Sequence, residues 1–186
     1  MEHIYSNIQG WFDGEKTYNF IIDKLPNNFK FVEVGVWKGR SLSYFVVESI
    51  NKNKIGNIYA VDTWEGSLEH KKDHNNLFND ELLYKEFLSN INPIKENIII
   101  IKKTSIEASQ DFENESLDSV FIDASHEYND IKQDLISWYP KIKTGGILSG
   151  HDYEIGWPGV LRAVNEFALH NNYKIENNGS YWWLLK

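Results

Sequence analysis

Phe31-Val-Glu-Val-Gly-Val-Trp-Lys-Gly-Arg-Ser41 decides the fold of this chain. It is an apolar run carrying an acid, then two glycines four apart, then the start of a helix. A strand that turns into a helix through glycines is where a nucleotide-like ligand lies in an open α/β sheet. Glycine permits close backbone approach, and the helix N-terminus favours negative charge. The near-continuous apolar character of Lys30 to Val36 fits a strand covered on both faces, as in a parallel sheet with helices on either side.

Downstream, the strand-helix pattern repeats. Ser41 to Ile50 reads as the first crossover helix, and Asn57 to Val61 as the second strand, which delivers Asp62, an acid able to accept from both hydroxyls of a ribose. Thr63 to Asn79 is polar and irregular, a long loop of the kind that carries function; His70 and His74 in it read as solvated rather than as a metal pair. A helix over Asp80 to Ile91 leads to a buried third strand, Ile98 to Lys102, and a short helix over Ile106 to Phe112. Ser119 to Ile122 is the fourth strand and ends in Asp123-Ala-Ser-His126. Ile131, Leu135 and Trp138 stripe the next helix, Gly145-Gly146 turns into a fifth strand, Ile147 to Gly150, and that strand ends in His151-Asp152. A helix from Gly159 to His170 precedes a hairpin of Tyr173 to Ile175 and Tyr181 to Lys186, closed by Asn177-Asn-Gly-Ser180.

Upstream, Tyr18, Ile21, Ile22 and Leu25 recur at helical spacing before Pro26. Trp11 and Phe12 have two readings, a cover for an open edge of the core or a lid over the ligand crevice, so residues 1–28 form an N-terminal helical and lid segment. The expected fold is a single α/β domain over 1–186, a doubly wound, mostly parallel seven-stranded sheet with a C-terminal antiparallel hairpin.

Composition agrees with one folded domain: 186 residues, 41% hydrophobic, 15% aromatic and 25% charged. The absence of cysteine excludes thiol catalysis and thiolate metal sites. A formal charge of -8 opposes general affinity for nucleic acid or anionic membranes. No apolar run approaches the ~20 residues that span a bilayer, and the first residues lack a signal-peptide pattern. The expectation is a soluble cytoplasmic protein acting on a small molecule, with oligomeric state, homo-oligomer included, left open.

Four groups fall at the carboxyl ends of successive strands: Glu33/Gly35/Gly39/Ser41, Asp62, Asp123/His126 and His151/Asp152. In doubly wound sheets those ends face one crevice, which points to an enzyme. Together with the terminal hairpin they resemble the class I S-adenosylmethionine-dependent methyltransferases, and more closely the family 24 domains related to macrocin-type O-methyltransferases. The likeness runs through Val32 to Ser41, Val61-Asp-Thr-Trp-Glu-Gly66, Phe121 to His126, Gly145 to Tyr153 and Pro158 to Val164.

The resemblance implies S-adenosylmethionine as cofactor. Gly35 and Gly39 would let the turn approach its methionine end, with Glu33 towards the ammonium and Ser41 near the carboxylate. Asp62 would hold the ribose, Trp64 would lie against the adenine, and Ser105 would stand at the adenine edge, although Thr104 occupies a place where many relatives carry an acid. His126 is the expected general base, beside Asp123. Asp123, His151 and Asp152 read either as ligands of a divalent cation, Mg²⁺ or Mn²⁺, or, for His151, as a hydrogen-bonded neighbour of the site. An imidazole in the set suits Mn²⁺, Fe²⁺ or Zn²⁺ better than Mg²⁺. Trp157, just after Asp152, is expected to overhang the crevice. The implied reaction is O-methylation of a small polar acceptor, a sugar hydroxyl or else a phenolic or catechol-like one. A dinucleotide-dependent oxidoreductase and a non-catalytic cofactor-binding module are the rival classes.

Overall fold

The computed structural model describes residues 1–66 and 80–186, so the His70 and His74 reading lies outside the described residues. The elements are α1 (Glu15–Lys24), β1 (Phe29–Val34), α2 (Arg40–Asn51), β2 (Gly56–Asp62), α3 (Asp80–Ile91), β3 (Ile98–Lys102), α4 (Ser105–Ser109), β4 (Leu117–Ile122), α5 (Tyr128–Trp138), β5 (Ile142–Gly150), α6 (Pro158–His170), β6 (Glu176–Asn178) and β7 (Tyr181–Leu185). The seven strands lie in the order β3-β2-β1-β4-β5-β7-β6. β1 to β5 run parallel, and β7 is antiparallel to both β5 and β6. The order reverses between β1 and β4, which is where a doubly wound sheet opens a crevice at its carboxyl edge.

Register aligns that edge. Val34 pairs with Val61 on one side and Ile122 on the other, and Ile122 pairs with Gly150. Gly35, Asp62, Asp123 and His151 therefore stand one step beyond a shared level. The alternation of a strand also separates the two cores. Phe29 and Phe31 pack with Tyr18, Ile22, Leu42, Phe45 and Phe87 on one face. Val32 and Val34 pack with Leu135, Trp138, Val160 and Val164 on the other. Glu33, in phase with Phe29 and Phe31, thus points to the face that α1 and α2 cover.

Several boundaries differ from expectation, each for a physical reason. β1 stops at Val34, so Val36 belongs to the turn. β5 begins at Ile142 and runs through Gly145-Gly146, which is a strand irregularity rather than a turn. There Gly145 has φ +83°, and the backbone around the pair exchanges hydrogen bonds with Lys186. α4 starts at Ser105 because Thr104 and Glu107 form a capping box. The hairpin partner is Glu176–Asn178 rather than Tyr173–Ile175, since the two-residue turn Gly179-Ser180 pairs Asn178 with Tyr181.

Two predictions follow from packing. A Cβ on Gly35 (φ +85°) would lie 2.0 Å from the Asp123 carbonyl oxygen, so Gly35→Ala should cost about 3 kcal/mol or more in chemical denaturation, and a wild-type midpoint would contradict the register. Asp134, 4% exposed, accepts from Ser105 Oγ, and burial pushes its carboxyl up to about 7, with the Ser105 bond opposing and Asp130 adding to the rise. The folded state then holds a proton that the unfolded state releases near its ordinary pKa. This stabilisation is full below that value and fades as pH rises through 7. Asp134→Asn should therefore flatten the stability profile between pH 4 and 8 and gain on the order of 1–3 kcal/mol at pH 8, whereas an unchanged slope would contradict it.

Candidate active site

The β1 turn is shaped first by the protein's own contacts. Gly35 is glycine because β4 passes against it: its N–H donates to Val61 O, and Asp123 N–H donates to Val34 O, both at 2.8 Å. Gly39, also at φ +85°, abuts Phe87 and Ile91 of α3. Glu33 is wholly buried; its Oε1 accepts from Ser41 Oγ at 2.5 Å. Among the described residues its Oε2 has no partner. Burial pushes this carboxyl up to about 8; the Ser41 bond opposes the rise and the charge of Asp123 adds to it.

Asp62 is a strut as well as a candidate ribose acceptor. Its Oδ2 accepts from Trp37 N–H at 2.8 Å and its Oδ1 from Trp64 N–H at 2.7 Å, while burial raises its carboxyl against those bonds. Two expected adenine contacts are placed elsewhere. Trp64 has no exposed surface; its ring packs on Tyr84 and Phe87 and its Nε1 donates to Trp37 O, so it serves the core. The Ser105 hydroxyl is committed to Asp134 and accepts from Trp138 Nε1.

The chemical groups gather around Asp152. This residue has φ +60°, an uncommon conformation for a residue with a Cβ, which turns its carboxylate between two imidazoles. Oδ2 meets His126 Nε2 at 2.9 Å, and Oδ1 lies 3.2 Å from His151 Nδ1. His151 Nδ1 is also 3.8 Å from Asp123 Oδ1, and its Nε2 meets Ser180 Oγ at 2.8 Å. Trp157, expected to overhang the crevice, stacks its ring on His126 with centroids 3.8 Å apart. Gly159 lets the start of α6 approach, since a Cβ there would lie 2.3 Å from His126 O.

The electrostatics separate the two acids. Burial would raise Asp152, but hydrogen bonds from His126 and His151 outweigh it and hold the carboxyl well below its ordinary range. Burial pushes Asp123 up to about 6, with His151 opposing and Asp152 reinforcing the rise. Burial would lower His151, yet Asp152 and Asp123 leave it raised. One ligand atom each from Asp123, His151 and Asp152 lies within 4.8 Å of the others, a donor set of two oxygens and one nitrogen that fits a divalent cation.

Sequence reasoning missed what flanks this cluster. Ser180 and Tyr181 of the hairpin reach His151, the latter with ring centroids 4.4 Å apart, and Gly14 lies against the Tyr181 phenol. The N-terminal segment lies against the β1–α2 turn: Arg40 Nη1 donates to Ile8 O and Gly10 O, and the exposed Trp11 stacks on Trp37. Phe12 instead joins the aromatic cluster of Tyr5, Tyr18 and Tyr44. Only the Asn-Gly turn signal pointed at the hairpin, and nothing in it foretold a contact with His151.

Comparison with known proteins agrees with this fold. The O-methyltransferase NovP superposes with a TM-score of 0.69 at 16% identity, covering 92% of this chain and 78% of that one. CalS11, a TDP-rhamnose 3'-O-methyltransferase of calicheamicin biosynthesis, gives 0.63 at 13% identity, with 92% and 76% covered. At these identities the likeness is one of fold. The uncharacterized protein y4gI of Sinorhizobium fredii is 28% identical over 126 residues, 68% of this chain, and the chain spans only 13% of its length. Among the described residues no helix is long and apolar enough to cross a membrane. Residues 32–153, from β1 to just beyond Asp152, match the family described as methyltransferase domain (Methyltransf_24), and the chain belongs to that family of class I S-adenosylmethionine-dependent methyltransferases.

Proposed function

We propose that this enzyme methylates a hydroxyl of a small polar acceptor, a sugar, with His126 as general base. The observation that carries the reading is the His126–Asp152 pair at 2.9 Å, set at the same sheet edge as the Glu33–Ser41 turn. The rhamnose derivative in the description of CalS11 supports a sugar as acceptor.

The residues fit the cofactor. Glu33 presents a buried carboxylate oxygen with no partner among the described residues, and Asp62 sets a carboxyl beside the β1 turn, held there by Trp37 N–H and Trp64 N–H. Glu33, Ser41 and the Gly35–Gly39 turn would hold the amino-acid end, and Asp62 the ribose. When bound, S-adenosylmethionine supplies a sulfonium methyl group open to in-line displacement by an acceptor oxygen. A divalent cation on Asp123, His151 and Asp152 would lower the pKa of that acceptor hydroxyl.

The work of the chain is to orient a base and hold a proton. Asp152 accepts from Nε2–H of His126 and so sets the orientation and tautomer of the ring. As the imidazole takes the hydroxyl proton, the Asp152 carboxylate stabilises the imidazolium. The Trp157 face fixes the ring plane and excludes water from one side of it.

Transfer of labelled methyl from S-adenosylmethionine to TDP-rhamnose, with catechol as competitor, tests the acceptor class: label in the sugar is expected, and label in catechol alone would overturn the sugar assignment. His126→Ala should lower kcat by roughly 10²- to 10⁴-fold while S-adenosylhomocysteine still binds, and a wild-type rate would remove His126 as base. Asp152→Asn should lower kcat similarly, because the amide sets a different tautomer. Dialysis against a chelator should reduce the rate, with Mn²⁺ restoring it more fully than Mg²⁺; a rate indifferent to the chelator would leave His151 as a hydrogen-bonded neighbour only.

A further inference from the structure

Tyr18 lies on α1, ahead of the family-matched region 32–153, and its side chain is completely buried. Its ring packs on Phe121 of β4 and Phe45 of α2, with centroids 4.9 and 5.9 Å away. Its hydroxyl faces Glu33 and Ser41, close enough to act on the Glu33 carboxyl, and lies within the fields of Asp123 and Tyr181, but it closes no direct hydrogen bond among the described residues. Glu33 Oε2, on the same face of β1, is also unpartnered there.

Two adjacent buried polar atoms without partners are uncommon, because each keeps its desolvation cost with nothing to offset it. Glu33 Oε2 can only accept when ionised, and a tyrosine oxygen can accept as well as donate. A group that bridges the phenol oxygen and an ionised Glu33 Oε2 carries at least two donor hydrogens, and a cation among such groups favours that ionised form. Apolar ligand parts and carboxylates fail that requirement; an ammonium meets it, and so does a water that relays to one. Burial, followed by the charges of Glu33, Tyr181 and Asp123, keeps the Tyr18 phenol neutral, so it adds no charge of its own.

We infer that Tyr18 belongs to the cofactor pocket, where its hydroxyl and Glu33 Oε2 together receive the α-ammonium of the amino-acid end of S-adenosylmethionine, directly or through one water. The inference rests on the cofactor assignment made above and adds a residue from outside the family-matched region. It also explains why a polar tip is kept at a position where phenylalanine would fill the same volume.

The test is calorimetric titration of two nucleosides into wild-type protein, Tyr18→Phe and Glu33→Gln, with a thermal melt of each variant. S-Adenosylhomocysteine carries the amino-acid end, and 5′-methylthioadenosine lacks it. Tyr18→Phe should weaken S-adenosylhomocysteine roughly tenfold, leave methylthioadenosine within about twofold, and leave the melting temperature of the free protein unchanged or higher. Glu33→Gln should show the same selectivity. Equal weakening of both nucleosides with a lowered melting temperature would assign Tyr18 a packing role only, and unchanged affinity for both would also overturn the inference. Wild-type protein that binds neither nucleoside would instead overturn the cofactor assignment beneath it.

Discussion

The contact between Gly35 and the Asp123 carbonyl is the constraint on which the site depends. Parallel strands β1 and β4 meet at the reversal of strand order, and the chain leaves each of them at the same level. Space for a Cβ is absent there, and the backbone conformation is left-handed. Once glycine satisfies both conditions, Asp123 N–H closes on Val34 O, and the acid after β4 stands beside the turn after β1. The crevice is therefore set by strand packing before any ligand chemistry is considered.

On that frame one carboxylate orders two imidazoles. Asp152 divides its oxygens between His126 and His151, and the strained backbone at this residue is what aims them. Trp157 on His126 and Ser180 on His151 then fix the far side of each ring. An orienting acid and an aromatic wall hold His126, and the same acid with a hydroxyl from a separate hairpin holds His151, so both rings are fixed in place. One oxygen each from Asp123 and Asp152 and one nitrogen of His151 also lie within 4.8 Å of one another, so the groups that order the rings are those of the candidate cation site.

Much of this was legible because glycines, acids and histidines stood at strand ends. β3 and α3 were read with their observed bounds, and Asp123, His126, His151 and Asp152 do converge. What stayed hidden depended on partners distant in sequence. Ser105 reads as a ligand-facing hydroxyl until Asp134, 29 residues away, claims it. Trp64 reads as a stacking platform until α3 covers it. Gly145-Gly146 reads as a turn, and only the pairing with Lys186 reveals a distorted strand. Tyr18 reads as one more apolar position of a helical stripe, which in packing terms it is; that its hydroxyl has no hydrogen-bond partner among the described residues appears only in three dimensions.

The most direct measurement is a crystal structure of the protein with S-adenosylhomocysteine. The account predicts the nucleoside across the carboxyl ends of β1 and β2, its ribose hydroxyls on Asp62, its ammonium towards Glu33, and its sulfur turned to the side where Asp123 and His126 stand. A ligand seated with its ribose away from Asp62, or with its sulfur remote from His126, would contradict the assignment of this crevice as the place of methyl transfer.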